Sequence, residues 1–120
     1  MFNIQIVSSL LLVLVLITHS INVPGEPDEL NVFNLKVVTL AHEAVDKYSV
    51  KRGSTYSLYS VDYASVQIVS GEMYKLNATI ITKGCKKPCK FLHCSFSIVI
   101  QSWLPKAKQE DFKELKCSNK

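Results

Sequence analysis

The sequence predicts an α+β domain in which one helix precedes an antiparallel sheet. Three observations predict it. Apolar residues recur once at three- and four-residue steps, the signature of a helix with one buried face. After that segment they recur at two-residue steps, as half-buried strands require. All four cysteines fall in the last third of the chain, where the strands are predicted.

Residues 1–25 contain no Asp, Glu, Lys or Arg, and residues 10–17 are an unbroken apolar block. Thr18, His19 and Ser20 then put small residues at the two positions a signal peptidase inspects. The expected division is a signal peptide over 1–20 and a single domain over 21–120, exported from the cell. The apolar run is roughly 14 residues, short of the ~20 that span a bilayer, and no basic cluster follows it. No membrane anchor is expected. Residues 21–29 hold two prolines and a glycine without periodicity, which predicts an extended arm containing Val23, Pro24 and Gly25.

The helix is predicted over 32–49. Phe33, Val37, Leu40, Ala41, Ala44 and Tyr48 share its inner face, and Asn34, His42, Glu43, Asp46 and Lys47 take the outer one. Asp28 and Glu29 suit the positive end, Asn31 is the candidate cap, and Gly53 breaks the pattern. A first strand follows over 56–67, where Tyr59, Val61 and Tyr63 alternate with Ser60, Asp62 and Ala64. In the next, Tyr74, Leu76, Ala78 and Ile80 alternate with Lys75, Asn77, Thr79 and Ile81. Residues 95–102 make a third, with Phe96, Ile98 and Ile100 on one face. Trp103-Leu104-Pro105 ends it, and a basic, mixed tail runs on to Cys117.

In an exported chain, Cys85, Cys89, Cys94 and Cys117 read as two disulfides with three pairings open. Zinc on Cys85, Cys89, His93 and Cys94 is the weaker reading, because the spacing fits no common zinc module and an oxidising compartment disfavours free thiolates. Neither a metal nor a cofactor is expected. The net charge is +4, with lysines around Cys85 and Cys89 and along the tail. That is a solvated basic face, or one that steers the chain toward an acidic partner. Aromatic residues do not interleave with the lysines, so nucleic-acid binding is not expected.

Between the first two strands lies Gln67-Ile68-Val69-Ser70-Gly71. Gln-x-Val-x-Gly alone is a weak signal, since a hairpin needs little more than Gly71. Its company makes it specific. Gly25 in the arm, Ala44-Val45-Asp46-Lys47-Tyr48 in the helix, residues 67–71, the four cysteines and Trp103 follow one another in the order and at the separations of the cystatins. Over essentially its whole length after residue 20, the chain resembles the secreted, disulfide-bonded branch of that family, reversible inhibitors of papain-like cysteine proteases.

The resemblance implies a cystatin-like α+β fold, a long helix wrapped by a curved antiparallel sheet of four to five strands. It implies a wedge-shaped edge of three parts: Val23, Pro24 and Gly25 in the arm; Gln67, Ile68, Val69, Ser70 and Gly71 in the first hairpin; Ser102 and Trp103 in the second. It pairs Cys85 with Cys89 and Cys94 with Cys117, against the rival Cys85–Cys94 with Cys89–Cys117. The implied function is non-covalent occlusion of a cathepsin-type active-site cleft by a monomer. An exposed Trp103 removes on the order of 200 Å² from water on binding, worth up to ~5 kcal/mol before ordering costs.

There are departures. The family's Pro-Trp pair reads Ser102-Trp103 here, a looser loop that costs more order on association. The loop after the helix, Lys51-Arg52-Gly53-Ser54, lacks the Asn of legumain-inhibiting members, so no legumain inhibition is expected. Asn77-Ala78-Thr79 is a sequon whose Asn points away from the core face on the alternation above. No nucleophile elbow surrounds any serine, and His42 and His93 are expected to be surface groups, so the chain is not expected to be an enzyme. Two other roles remain in view: a cystatin-fold binding module without tight inhibition, and a cationic membrane-active protein, which lacks the basic amphipathic helix it would need.

Overall fold

Asn34 starts the helix by accepting the backbone N–H of Lys36 at 2.8 Å, one turn later than Asn31 would have placed it. In the computed structural model, which describes residues 26–86 and 89–119, this helix, α1, spans Leu35–Arg52. Asn31 instead shapes the approach, accepting the N–H of Phe33 at 2.9 Å in an Asx turn. Phe33 therefore sits ahead of the helical phase, 85% exposed, and not on the inner face as expected. Asp28 and Glu29 do not flank the helix start either. They form a short strand, β1 (Asp28–Glu29), paired with the next strand.

The helix runs three residues past the expected end at Ser49, to Arg52, and Gly53 then breaks it. Gly53 takes φ 70°, its N–H donates to Val50 O at 3.3 Å, and the N–H of Ser54 donates to Ser49 O at 3.2 Å. This is a Schellman closure, which satisfies carbonyls the helix would otherwise leave bare. Ser49 Oγ donates to Val45 O and accepts the N–H of Tyr56, tying the helix end to the first long strand.

Four strands follow: β2 (Tyr56–Val69), β3 (Gly71–Thr82), β4 (Phe91–Ile100) and β5 (Glu110–Ser118), with a 3₁₀ turn at Lys106–Lys108. The sheet order is β1-β2-β3-β4-β5 and every neighbouring pair is antiparallel. The predicted strand over 95–102 begins earlier and stops at Ile100, leaving Ser102 in a loop. The basic, mixed tail forms β5. Its Phe112 and Leu115 pack on the core, and the Lys47 ammonium lies 5.0 Å from the Phe112 ring centre.

β2 departs from simple alternation. Its register shifts between Leu58 and Ser60 and again between Val61 and Tyr63. Each shift inserts a residue, so Leu58, Val61, Ala64 and Val66 turn inward while Tyr59 and Tyr63 face solvent. Such bulges add twist, which lets a sheet curve around a helix. The core joins Val37, Leu40, Ala41, Ala44, Val45 and Tyr48 of α1 to Leu76, Ile80, Phe96 and Ile98 of the sheet. Ala41 and Ala44 on the helix and Ala64 and Ala78 on the sheet are all fully or almost fully buried, keeping helix and sheet close.

The cysteines pair as Cys85–Cys89 and Cys94–Cys117. The second bond joins directly opposed residues of β4 and β5 and closes a separation of 23 residues, worth roughly 3 kcal/mol in the chain-entropy account. The leader over 1–20 and Val23, Pro24 and Gly25 lie outside the described residues.

Candidate functional site

One end of the sheet carries two loops. At the first, β2 turns into β3 through Ser70 alone, with Val69 opposite Gly71. Gly71 has φ 104°, a conformation open to glycine and strained for side-chain residues. A Cβ at Gly71 would also run into the carbonyl oxygen of Ile100 and come within 3.1 Å of Gln101 Cγ. The glycine therefore serves two ends at once: it closes the hairpin and lets the second loop lie against it.

The second loop, residues 101–109, is fastened at its base by Gln101 N–H donating to Gln109 O at 2.8 Å. Leu104 N–H donates back to Gln101 O at 3.1 Å. The Gln109 side chain reaches into the loop, donating to Ser102 O at 3.2 Å and Leu104 O at 3.1 Å, the carbonyls on either side of Trp103. Gln101 Nε2 crosses to the first loop and donates to Ser70 O at 3.2 Å. Gln101 and Gln109 were not singled out in the sequence, because an isolated Gln in a polar loop carries no signal of what it will bridge.

Trp103 is 61% exposed at this end, with Ile68 at 51% and Val69 at 39%. The indole is not a core residue of the last strands. Ser102 is also exposed, and Gln67 pairs with Met73 below the tip. Tyr74 closes the underside. Burial, then the Glu72 carboxylate beside it, pushes its phenol above the ordinary range.

β1 runs antiparallel to β2, with Asp28 opposite Val66 and Glu29 opposite Ser65. Its leading end thus faces the same end of the sheet as Ser70 and Trp103. The structure brings together residues 67–71, Ser102 and Trp103 of the expected edge, and directs the described start of the arm toward it. His42 and His93 are exposed, and no cluster of metal-ligating side chains occurs among the described residues. Among them, too, no helix is long and apolar enough to cross a membrane.

A helix held by an antiparallel sheet, with two cross-bonded loops and an exposed indole at one end, defines a cystatin-type domain. The cystatin domain model matches residues 25–117, and the chain belongs to the cystatin family, whose members inhibit cysteine proteases. Its two disulfides place it in the disulfide-bonded branch. The fold is similar to that of a salivary cystatin from the soft tick Ornithodoros moubata (TM-score 0.66, 21% identity, 80% of this chain and 99% of the other). It is likewise similar to dimeric human cystatin F (TM-score 0.66, 21% identity, 82% and 90%) and to Al-CPI (TM-score 0.65, 21% identity, 78% and 100%). A search of curated protein sequences finds no significant match.

Proposed function

We propose that this chain is a secreted, reversible, non-covalent inhibitor of papain-like cysteine proteases of the cathepsin type, and acts as a monomer. Residues 1–20 direct export and are removed. The hairpin tip enters the catalytic cleft, where small Ser70 and Gly71 allow close approach and Ile68 and Val69 add apolar contact. Trp103 packs on the facing wall, and Val23, Pro24 and Gly25 lie along the substrate subsites. The protease cysteine is covered and has no peptide bond in line to attack.

The observation that carries this reading is the Gln101–Ser70 hydrogen bond, which joins the loop bearing Trp103 to the hairpin tip. Two loops held in fixed relation pay little ordering entropy on binding. The Gln109 bonds around Trp103 offset some of the rigidity lost by having Ser102 in place of proline.

Titrating papain or cathepsin L with refolded residues 21–120 tests the proposal. Stoichiometric or nanomolar loss of activity is the expected result. Full activity at micromolar inhibitor would reject inhibition and favour the binding-module reading, with the lysine-rich face as its contact surface.

A further inference from the structure

We propose that Asn77 is N-glycosylated during export, and that it is modified before the Cys94–Cys117 bond closes. The proposal rests on the export reading above. In the sequon Asn77-Ala78-Thr79, Asn77 is exposed on the face of β3 turned away from α1. Beside it lies an open depression of about 640 Å³, lined in part by Asp62, Asn77, His93, Ser95 and Lys116, with room for the first sugars.

The folded sheet is nevertheless a poor substrate. Sequon recognition uses the hydroxyl two residues after the Asn, and here that hydroxyl is withdrawn. Thr79 is 7% exposed, not open to solvent as alternation predicts. Its Oγ1 donates to Asp62 Oδ2 at 2.6 Å, while Ser60 Oγ donates to Asp62 Oδ1 at 2.7 Å. With its hydrogen given to Asp62, Thr79 Oγ1 can only accept from His93 Nδ1, 3.4 Å away. The tripeptide is also hemmed in on both sides: Asn77 lies opposite Tyr63 and Ser95, and Ala78 opposite Val61 and Cys94.

Cys94, facing the middle of the sequon, is covalently fixed to Cys117. Cys117 lies 38 residues beyond Thr79, so that bond can close only after the whole sequon has been made. Until then β4 is not stapled to β5, the sheet around the sequon opens more readily, and the tripeptide can take the extended, accessible form a transferase needs. In the transfer, the Asn77 carboxamide nitrogen attacks the anomeric carbon of a lipid-diphosphate-linked oligosaccharide. A C–N bond forms, the C–O bond to diphosphate breaks, the lipid diphosphate leaves, and one amide proton passes to base.

Asn77 is six residues along β3 from Gly71, about 20 Å at the rise of a strand. A glycan there leaves the loop end clear.

The test is pulse-chase labelling of the full chain in a secreting eukaryotic cell line, reading lysate and medium together. The expected result is a slow-migrating band that peptide-N-glycosidase collapses, absent in Asn77→Gln and Thr79→Ala and kept in Thr79→Ser. Chains already oxidised but unmodified should stay unmodified through the chase. In Cys94→Ser/Cys117→Ser, unmodified chains should go on converting to the slow band. A secreted wild type with no band shift would overturn the modification and leave the export reading standing. An unmodified chain held in the cytosol would overturn both. Conversion of oxidised wild-type chains during the chase, or no continued conversion in the double variant, would overturn the order of events.

Discussion

Between Val69 and Gly71 the chain reverses through one residue, whereas between Ile100 and Glu110 it uses all of 101–109. The short loop is fixed by its backbone: Gly71 at φ 104° leaves no room for a Cβ beside the Ile100 carbonyl. The long loop is fixed by side chains, with Gln109 holding the carbonyls around Trp103 and Gln101 reaching across to Ser70. The first should fail abruptly under substitution and the second by degrees. A backbone conformation is either available to a residue or strained, while hydrogen bonds are lost one at a time.

The largest effect expected is at Gly71. Gly71→Ala should cost about 3 kcal/mol of stability from the strained φ and the collision with Ile100, and displace both loops. Denaturant unfolding and inhibition assays would register it together; an unaltered unfolding midpoint would show that the tip adapts. Cys94→Ser/Cys117→Ser should cost roughly 3 kcal/mol of stability as well, yet leave inhibition unchanged where the variant is folded. That separates the staple from the loops.

Trp103→Ala should invert the pattern. Stability should stay within about 0.5 kcal/mol, as for an exposed side chain, while affinity falls by about 2 kcal/mol or more through faster dissociation. Gln109→Ala removes two hydrogen bonds and should weaken inhibition by about 1 kcal/mol, less than loss of the indole itself. Equal losses at Gln109 and Trp103 would mean that the long loop collapses as a unit.

The smallest effect is one of pH. A hydrogen bond with Glu110, then burial and the Glu110 charge, hold the Glu43 carboxyl above its ordinary range, against Lys36 and Lys47. A carboxyl raised on folding contributes stability that is complete below its unfolded pKa and is lost as pH rises through its folded value. Wild type should therefore gain a little stability as pH falls from neutral toward the carboxylate range. Glu43→Gln should flatten that gain in thermal melts taken across pH.

How much of this was legible in the sequence follows from the range of each signal. The helix face from Val37 to Tyr48 and the β3 alternation were plain, because one-sided burial writes itself as a period. Phe33 misled, since its spacing fits the helix while the Asn34 cap starts the helix after it. The two β2 bulges were not legible, because an inserted residue shifts the phase without a characteristic residue type. At the site, the Gln67 to Gly71 segment and Trp103 stood out as a pattern. The glutamines that join the loops did not, because their role depends on carbonyls brought near only by folding.

The central claim, that hairpin tip and indole form one binding edge, is tested most directly by NMR. Trp103 is the one Trp of the chain, so labelled protein gives a single indole N–H signal. Adding unlabelled papain with its active-site cysteine replaced should shift that signal and the amides of 68–71 together, saturating at one equivalent. Binding that leaves the indole signal in place while other surfaces shift would contradict the account.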